Sequence, residues 1–218
     1  MKNWWYYHKW YAIGGVLLLL IAVDLLGNAF GWFRKSPDFQ IAYIGEAPLP
    51  EDTVAALRKA FSSLAEDFNQ DGEVLVQINQ FICGSPENAD VETANYQQVF
   101  EIALNGDIND CDSYFFLMEN PADFQKKFQV LAMPDGSCPA ALDYSVDGKV
   151  FPWESCRLLS DMDLGDYTTT LFGHETSGSN QKILSQLYLG RRCFYGKEHT
   201  SNADECSQLW NTLKGDFN

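Results

Sequence analysis

The longest apolar stretch of the chain runs from Tyr11 to Phe33, YAIGGVLLLLIAVDLLGNAFGWF, and its polar interruptions are Asp24 and Asn28. As an α-helix, this stretch is long enough to cross a hydrocarbon core of about 30 Å. Tryptophan and tyrosine residues cluster before it, and Trp32 lies near its end, as in the aromatic belts of spanning helices. The pattern predicts a transmembrane helix over residues 11–33 that is retained as a signal anchor.

A cleaved signal peptide is the alternative for the same stretch. Its apolar region would be Ala12 to Val23, and the small residues 27–29, Gly-Asn-Ala, would form the cleavage site. Asp24 favours this alternative, since a carboxylate within lipid is costly. The apolar residues that continue from Leu25 to Phe33 favour the retained anchor.

The cysteines indicate the side of the membrane on which the rest of the chain lies. All six follow the predicted anchor, and an even set of cysteines suits an oxidising compartment better than the cytosol. Basic residues flank the anchor on both sides and do not decide its orientation. We therefore expect a single-pass protein of the cell membrane, with residues 1–10 as a short cytoplasmic N-terminus, 34–38 as a linker and 39–218 as one extracytoplasmic domain.

After the anchor, strand-like and helix-like patterns alternate along the chain. The sequence predicts strands at Phe39–Gly45, Val74–Ile82 and Tyr114–Met118. Asn120 and Pro121 mark the start of a helix after the third strand. The two earlier helices have apolar faces made of Val54, Leu57, Phe61, Leu64 and Phe68, ending near Asn69, and of Tyr96, Val99, Phe100 and Ala103, ending at Asn105-Gly106. This order predicts an α/β fold, a three-layer sandwich with a mostly parallel sheet.

The pattern is less regular in the last third of the chain. Met133 to Ser155 is rich in Pro, Gly and Asp, which predicts a long excursion with a hairpin around residues 146–148. Asp161 to Asn180 is polar and rich in Gly and Thr, which predicts a mobile loop. Gln186 to Phe194 predicts a further strand. A C-terminal helix follows, with an apolar face made of Ala203, Cys206, Leu209, Trp210 and Leu213.

The charge of the chain is strongly acidic and restricts the partners it can bind. It has 15 Lys and Arg against 30 Asp and Glu, a net charge of −15, and every acidic residue except Asp24 follows the predicted anchor. Such a surface repels nucleic acid and anionic lipid headgroups. It is compatible with cations, neutral sugars, peptides or a basic protein partner. The alternative is that the charge only keeps an exported domain soluble.

One short segment resembles the first half of a calcium loop. Asp67 to Glu73, DFNQDGE, places oxygen-bearing side chains at Asp67, Asn69 and Asp71, and Glu73 would add its backbone carbonyl. The twelfth place is Ile78 instead of a bidentate Glu, so a complete EF-hand is excluded. Ca²⁺ is the cofactor for which the sequence offers candidate ligands. The alternative is a tight helix-to-strand turn that needs no metal.

The six cysteines are candidates for disulfide bonds. No two of them form a CxxC pair, which excludes thioredoxin-like redox chemistry and zinc ribbons. Because neighbouring elements of such a fold lie close together, we predict that neighbours in sequence pair. The predicted bridges are Cys83–Cys111, Cys138–Cys156 and Cys193–Cys206. The alternative is that some of these residues are buried thiols.

The sequence gives catalysis little support. It has no GxSxG motif, and no glycine-rich run joins a strand to a helix. His8 precedes the apolar run, whereas His174 and His199 lie in polar stretches where a solvated histidine is the usual case. A catalytic His174 with a nearby Ser or Glu is the alternative. No residue is assigned a catalytic role.

Three further residues are candidates for ligand contact. Arg191 and Arg192 could bind a carboxylate, and Trp153 could stack on a sugar. For the arginines the alternative is pairing with the acidic surface, and for Trp153 it is packing in the core.

The order of elements also carries a resemblance to a known family. One stretch is similar to the first lobe of extracellular solute-binding proteins, the substrate receptors of ABC importers. It consists of Ile102 to Met118, in which a helix end is followed by Asp112 and an apolar strand, then of the short helix Asn120 to Phe128 and of the segment Leu131 to Asp135. The resemblance implies a parallel α/β lobe and a small-molecule ligand. That family has two lobes, whereas this chain has room for little more than one.

The chain as a whole resembles single-span, membrane-anchored proteins of gut Firmicutes, which implies a source and a location but no activity. Three function classes follow from the sequence. The first is an extracytoplasmic binding or accessory module. The second is an anchored hydrolase, which would need His174 or a carboxylate pair in a cleft, and the third is a structural subunit of an envelope complex.

Overall fold

A computed structural model of the protein describes residues 16, 18, 19, 21–23, 35–83, 91–171, 174–196 and 202–215, with the backbone alone for 91–97, 171 and 174. The chain divides into two compact units, Met1–Ser36 and Pro37–Asn218. The predicted anchor over residues 11–33 falls largely outside the described residues. Within the described residues, no helix has both the length and the apolar character that a membrane span requires.

The second unit contains seven strands and six helices in its described residues. The strands are β1 Phe39–Gly45, β2 Val76–Ile82, β3 Phe115–Met118, β4 Val150–Pro152, β5 Asp166–Leu171, β6 His174–Ser179 and β7 Tyr188–Arg191. The helices are α1 Glu51–Leu64, α2 Val91–Asp110, α3 Pro121–Phe128, α4 Arg157–Ser160, α5 Asn180–Leu184 and α6 Ala203–Lys214. A single 3₁₀ turn, Trp153–Ser155, joins β4 to α4.

The main sheet has five strands in the order β2-β1-β3-β7-β4. The pairs β1–β2 and β1–β3 are parallel, whereas β3–β7 and β4–β7 are antiparallel. The predicted α/β class is confirmed. The sheet is mixed, because β7 runs opposite to the other four strands and pairs antiparallel with β3 and β4.

Helices cover both faces of this sheet, because successive residues of a strand point to opposite faces. Ile41 and Tyr43 of β1 belong to one buried cluster with residues of α1 and α6. Ala42 and Ile44 belong to a second cluster, which includes Leu104 of α2 and residues of α3. The helix that follows β1 and the helix that follows β2 therefore pack on opposite faces.

The local signals for α3 and α6 are confirmed. Asn120 accepts a hydrogen bond from the backbone N–H of Asp123 at 3.2 Å, and Pro121 is the first residue of α3. The predicted apolar face of α6 is buried at all five of its positions. The first helix ends at Leu64 instead of near Asn69.

The prediction for α2 is wrong in its end and in its face. The helix continues past Gly106 to Asp110, and Leu104 is buried while Val99 is 61% exposed. Arg192, on the neighbouring β7 segment, explains the longer helix because it donates hydrogen bonds to backbone carbonyls of its last turn, including that of Ile108 at 3.1 Å.

Two predictions for the last third are also wrong. Asp161 to Asn180 contains the antiparallel hairpin β5–β6, in which Tyr167 pairs with Gly178. Its Thr residues favour a strand, although their polarity is also typical of a loop. Residues 146–148 form a turn closed by a 3.0 Å bond from Lys149 N to Val146 O, and the strand that follows pairs with β7 instead of folding back as a hairpin.

The disulfide in the structure joins Cys138 to Cys193. The segment that follows α3 runs beside β7, where Cys193 N donates to Val130 O at 2.7 Å, and this brings the two cysteines together. The predicted pairs Cys138–Cys156 and Cys193–Cys206 are therefore wrong. Cys83 and Cys111 do not form the third predicted bridge, and the remaining four cysteines carry thiols.

Candidate functional site

The connections of the sheet diverge at the carboxyl ends of β1 and β3. The chain leaves β1 through α1 to reach β2 on one side, and then returns through α2 to reach β3 on the other side. In open α/β sheets, ligands bind in the crevice that forms outside the carboxyl ends of strands at such a switch point. Gly45 is the last residue of β1 and Glu119 directly follows β3. The fold therefore predicts a ligand site next to these two residues.

A crevice of about 540 Å³ lies at this position and is called the switch crevice below. This volume falls within the roughly 300–1,000 Å³ range of small-molecule sites. Its lining comes from the ends of β1 and β2, the residue after β3, and one side of α3. The lining residues are Ile44, Gly45, Glu46, Cys83, Glu119, Asn120, Asp123, Phe124, Lys127 and Phe128.

A hydrogen bond between two side chains fixes the back of the switch crevice. The Tyr43 hydroxyl lies 2.7 Å from Glu119 Oε1 and 2.9 Å from the carbonyl oxygen of Ala47, and Glu119 Oε2 accepts from the backbone N–H of Glu46 at 2.9 Å. Burial raises the pKa of Tyr43 above its ordinary value of 10.0, and the Glu119 carboxylate raises it further. The tyrosine therefore stays neutral and holds the carboxylate in one orientation.

Gly45 is required by this arrangement. A Cβ atom at this position would overlap Tyr43 Oη and would lie 2.7 Å from Glu119 Oε1. Only a residue without a side chain leaves room for the tyrosine to reach the acid.

The wall of the switch crevice formed by α3 carries both charge and apolar surface. Asn120 Nδ2 donates to Asp123 Oδ2 at 2.7 Å, and Lys127 forms an ion pair of 2.7 Å with Glu101 on α2. Phe124 packs between Phe116 of the sheet and Phe128, with ring centroids 5.0 and 5.2 Å apart. This wall thus combines the carboxylate of Asp123 with aromatic side chains.

Cys83 lies where β2 ends, beside the end of β1. Its backbone N–H donates to Gly45 O at 2.8 Å, and its side chain is exposed. The sulfur is nevertheless partly buried, which raises the pKa of Cys83, although Lys127 nearby acts in the opposite direction. A nucleophilic cysteine needs a lowered pKa. The position therefore suits a reporter of occupancy better than a nucleophile.

A second cavity, of about 210 Å³, lies at the amino ends of β1 and β3. Three acids line it, Asp38, Asp110 and Asp112. Asp38 is 1% exposed and accepts hydrogen bonds from the backbone N–H groups of Phe68, Asn69 and Leu75, which fix the segment between α1 and β2. Because this buried acid holds the fold and the cavity is smaller than the roughly 300–1,000 Å³ of small-molecule sites, the switch crevice is the better candidate site.

The predicted calcium loop forms a turn held by its own side chains. Asp67 accepts hydrogen bonds from the N–H groups of Asp71 and Gly72, Asn69 also accepts from Asp71, and Asp71 accepts from Glu73. In the part of the chain that the structure describes, no three His, Cys, Asp or Glu side chains are grouped to hold a metal ion. Calcium binding by Asp67, Asn69, Asp71 and Glu73 stays a prediction.

Trp153 and the two arginines are buried side chains of the fold. Trp153 is 0% exposed and donates to Gln181 Oε1 at 2.9 Å. Arg191 donates to Pro134 O at 2.8 Å and lies over the ring of Trp210. Arg192 faces Asp107, with 4.0 Å between Nη2 and Oδ1. None of the three lines the switch crevice.

Of the three histidines, the structure describes the backbone of His174. His174 begins β6, where its backbone pairs with Leu171, and its side chain is outside the description. His8 and His199 fall outside the described residues altogether.

The residues of the switch crevice were missed by sequence reasoning, although one signal pointed to them. Gly45 ends a predicted strand and Asn120 follows another, and the carboxyl ends of parallel neighbours meet at one edge. No known protein family, curated protein or solved structure matches the chain. The role of the switch crevice is therefore inferred from its geometry and chemistry.

Proposed function

We propose that the chain is a binding or accessory module on the outer side of a cell membrane, and that its ligand is a small molecule held in the switch crevice. The observation that carries this proposal is the position of a crevice of about 540 Å³ at the point where the strand connections diverge. Small-molecule sites are usually pre-formed in the unliganded protein, and here the hydrogen bond from Tyr43 fixes the orientation of Glu119 before a ligand binds.

The location is proposed from the sequence and supported by the disulfide. Residues 11–33 would anchor the chain, residues 1–10 would face the cytoplasm, and residues 39–218 would face the exterior. The bridge between Cys138 and Cys193 is consistent with an oxidising compartment. We further propose that the module works beside a transporter, on the strength of its resemblance to one lobe of a solute-binding protein.

A hydrolytic role receives less support from the same residues. Of the described residues that line the switch crevice, none is a histidine, and burial raises the pKa of Cys83. A nucleophile paired with a base is the arrangement that hydrolysis by covalent catalysis requires. The carboxylates of Glu46, Glu119 and Asp123 keep acid–base hydrolysis by a carboxylate pair as the second candidate function.

A thermal-shift screen of the full chain in detergent micelles tests ligand binding. The panel would hold calcium, neutral sugars, amino acids, short peptides and simple amines. A compound that binds only the folded chain raises the melting temperature. At a concentration one hundredfold above its Kd, it adds about 2.7 kcal/mol to the free energy of unfolding. The rate at which iodoacetamide alkylates Cys83 then locates the compound, because an occupied switch crevice shields the thiol. Binding that leaves this rate unchanged contradicts the proposed site.

Topology is tested separately on intact cells. External protease should remove the domain, and denatured chain without reductant should expose four thiols, since two of the six cysteines are joined. Full resistance to protease together with six reactive thiols would place the domain in the cytoplasm.

A further inference from the structure

The hydrogen-bond donors at the switch crevice are already paired with acids. The Tyr43 hydroxyl faces Glu119, the Asn120 amide donates to Asp123, and the Lys127 ammonium pairs with Glu101 at 2.7 Å. Asn120 and Lys127 keep further N–H groups, but each of these donors lies beside a carboxylate. A ligand that accepts hydrogen bonds from them would therefore bring its acceptor close to a negative charge.

Acceptors, in contrast, are in excess. The single proton of the Tyr43 hydroxyl lies between two acceptors, Glu119 Oε1 and the Ala47 carbonyl. A carboxylate has about four lone-pair sites, and each Glu119 oxygen accepts one hydrogen bond from the protein. Glu119 therefore keeps capacity for further donors while its orientation is fixed.

The net charge of the lining is negative, which also favours a ligand that donates hydrogen bonds. Glu46, Glu119 and Asp123 contribute three carboxylates, whereas Lys127 is the one cation among the described lining residues and is offset by Glu101. The whole chain carries a net charge of −15, which raises the local concentration of cations. The site thus favours a positive ligand that brings its own N–H groups.

The switch crevice also has an apolar part of its lining. Ile44, Phe124 and Phe128 belong to it, and Phe128 presents the most surface, because Ile44 and Phe124 are 8% and 4% exposed. Apolar ligand surface that packs against these side chains is removed from water, which favours binding. A small inorganic cation would leave this wall without a contact, whereas an organic cation would cover it.

We propose that the switch crevice binds an organic cation, in which a primary ammonium group meets Glu119 and Asp123 and an aliphatic or aromatic body covers Phe124 and Phe128. This inference rests on the proposed function and names the ligand class of the same site. The ammonium supplies three donors where the protein supplies acceptors.

Pairs of compounds that differ in one group test the ammonium requirement. The probes are 2-phenylethylamine, cyclohexylmethylamine and isopentylamine, each beside the alcohol of the same skeleton, titrated into the full chain in detergent micelles by calorimetry at pH 7. Because amine and alcohol both enter micelles, the alcohol corrects for partitioning. We expect at least one amine to bind with a Kd at least tenfold below that of its alcohol. Equal binding of every pair, or binding by no amine, overturns the inference.

Charge-neutral variants test the position. Glu119→Gln, which can still accept from Tyr43, and Asp123→Asn should each raise the Kd of the amine at least tenfold. The matched control Asp161→Asn removes one charge from an exposed residue elsewhere and should change the Kd less than twofold. An equal loss in all three variants would mean attraction by surface charge alone. Melting temperatures measured without ligand verify that each variant is folded.

The alkylation rate of Cys83 separates this inference from the proposed function. If a sugar slows alkylation and no amine does, the ligand class is wrong and the binding module stands. If no compound of either panel slows it, both proposals fail.

Discussion

The Tyr43 hydroxyl lies 2.7 Å from Glu119 Oε1, and this contact links β1 to the residue that follows β3. Tyr43 is 1% exposed, so its ring is fixed by the core while its hydroxyl reaches the edge of the sheet. The contact therefore couples the packing of the domain to the orientation of an acid in the switch crevice. Several measurable properties depend on it.

The first prediction concerns alkaline pH. The pKa of Tyr43 is raised in the folded chain, so the folded chain keeps a proton that the unfolded chain loses above its ordinary pKa of about 10. The stabilisation from this tyrosine is complete below pH 10 and declines as pH rises further. Tyr43→Phe should reduce the steepness of this decline, measured as the free energy of unfolding between pH 9 and 11. An identical slope in the variant would contradict the raised pKa of Tyr43, to which burial contributes most and Glu119 adds.

Gly45→Ala should destabilise the domain, because the added methyl group overlaps Tyr43 Oη and approaches Glu119. Overpacking of this kind costs about 1–3 kcal/mol. Gly106→Ala is the matched control, since this helical glycine has open space around its Cβ position. There the change should stabilise by about 0.5–1 kcal/mol. Chemical unfolding of both variants in urea measures the difference, and a tolerated alanine at position 45 would refute the close packing.

Removal of the disulfide by the double change Cys138→Ser and Cys193→Ser should lower stability substantially. The two residues are separated by 55 positions, and loop-closure entropy for that length corresponds to roughly 4 kcal/mol. Cys83→Ser, an exposed thiol, should change stability little. Peptide mapping without reductant should recover the Cys138–Cys193 pair, and recovery of Cys138–Cys156 instead would show that the segment after α3 is placed wrongly.

Arg192→Met should destabilise the chain by about 3–5 kcal/mol, because it leaves the buried Asp107 carboxylate without its cation and removes the donors at the end of α2. The exposed Lys59→Met should change stability by less than about 0.5 kcal/mol.

Acid pH provides the second readout for this pair. Burial raises the pKa of Asp107, so its proton is bound at a higher pH in the folded chain than in the unfolded one. The cost of burying this carboxylate therefore falls as pH drops through that raised pKa. The stability difference between the Arg192→Met variant and the native chain should shrink in the same direction. A constant difference would show that Asp107 and Arg192 are not coupled.

The pattern of apolar residues predicted the parts of the fold that local signals control. β1, the cap at Asn120 and the buried face of α6 all follow from spacing and from single residues. The direction of β7 did not follow, because whether Tyr188 to Arg191 runs parallel or antiparallel depends on how the chain crosses the sheet. The polarity of Asp161 to Asn180 suggested a loop, but the backbone groups of β5 and β6 pair with each other to form two strands.

The extent of α2 and the disulfide depend on contacts between distant residues. Asn105 and Gly106 end many helices, yet Arg192 satisfies carbonyls beyond them and the helix continues. Cys138 pairs with Cys193 because the segment after α3 lies beside β7. Neither neighbour is visible in a linear pattern. The switch crevice has the same origin, since Glu119 becomes part of a site only when β3 lies next to β1.

The central claim is that the ligand lies at the carboxyl ends of β1 and β3. Hydrogen exchange of the full chain, followed by mass spectrometry with and without saturating 2-phenylethylamine, tests it most directly. We predict slower exchange in peptides that cover residues 43–47 and 119–124, and unchanged exchange in those that cover residues 110–114 at the opposite edge. Protection confined to the opposite edge, or absent from both, would contradict the account.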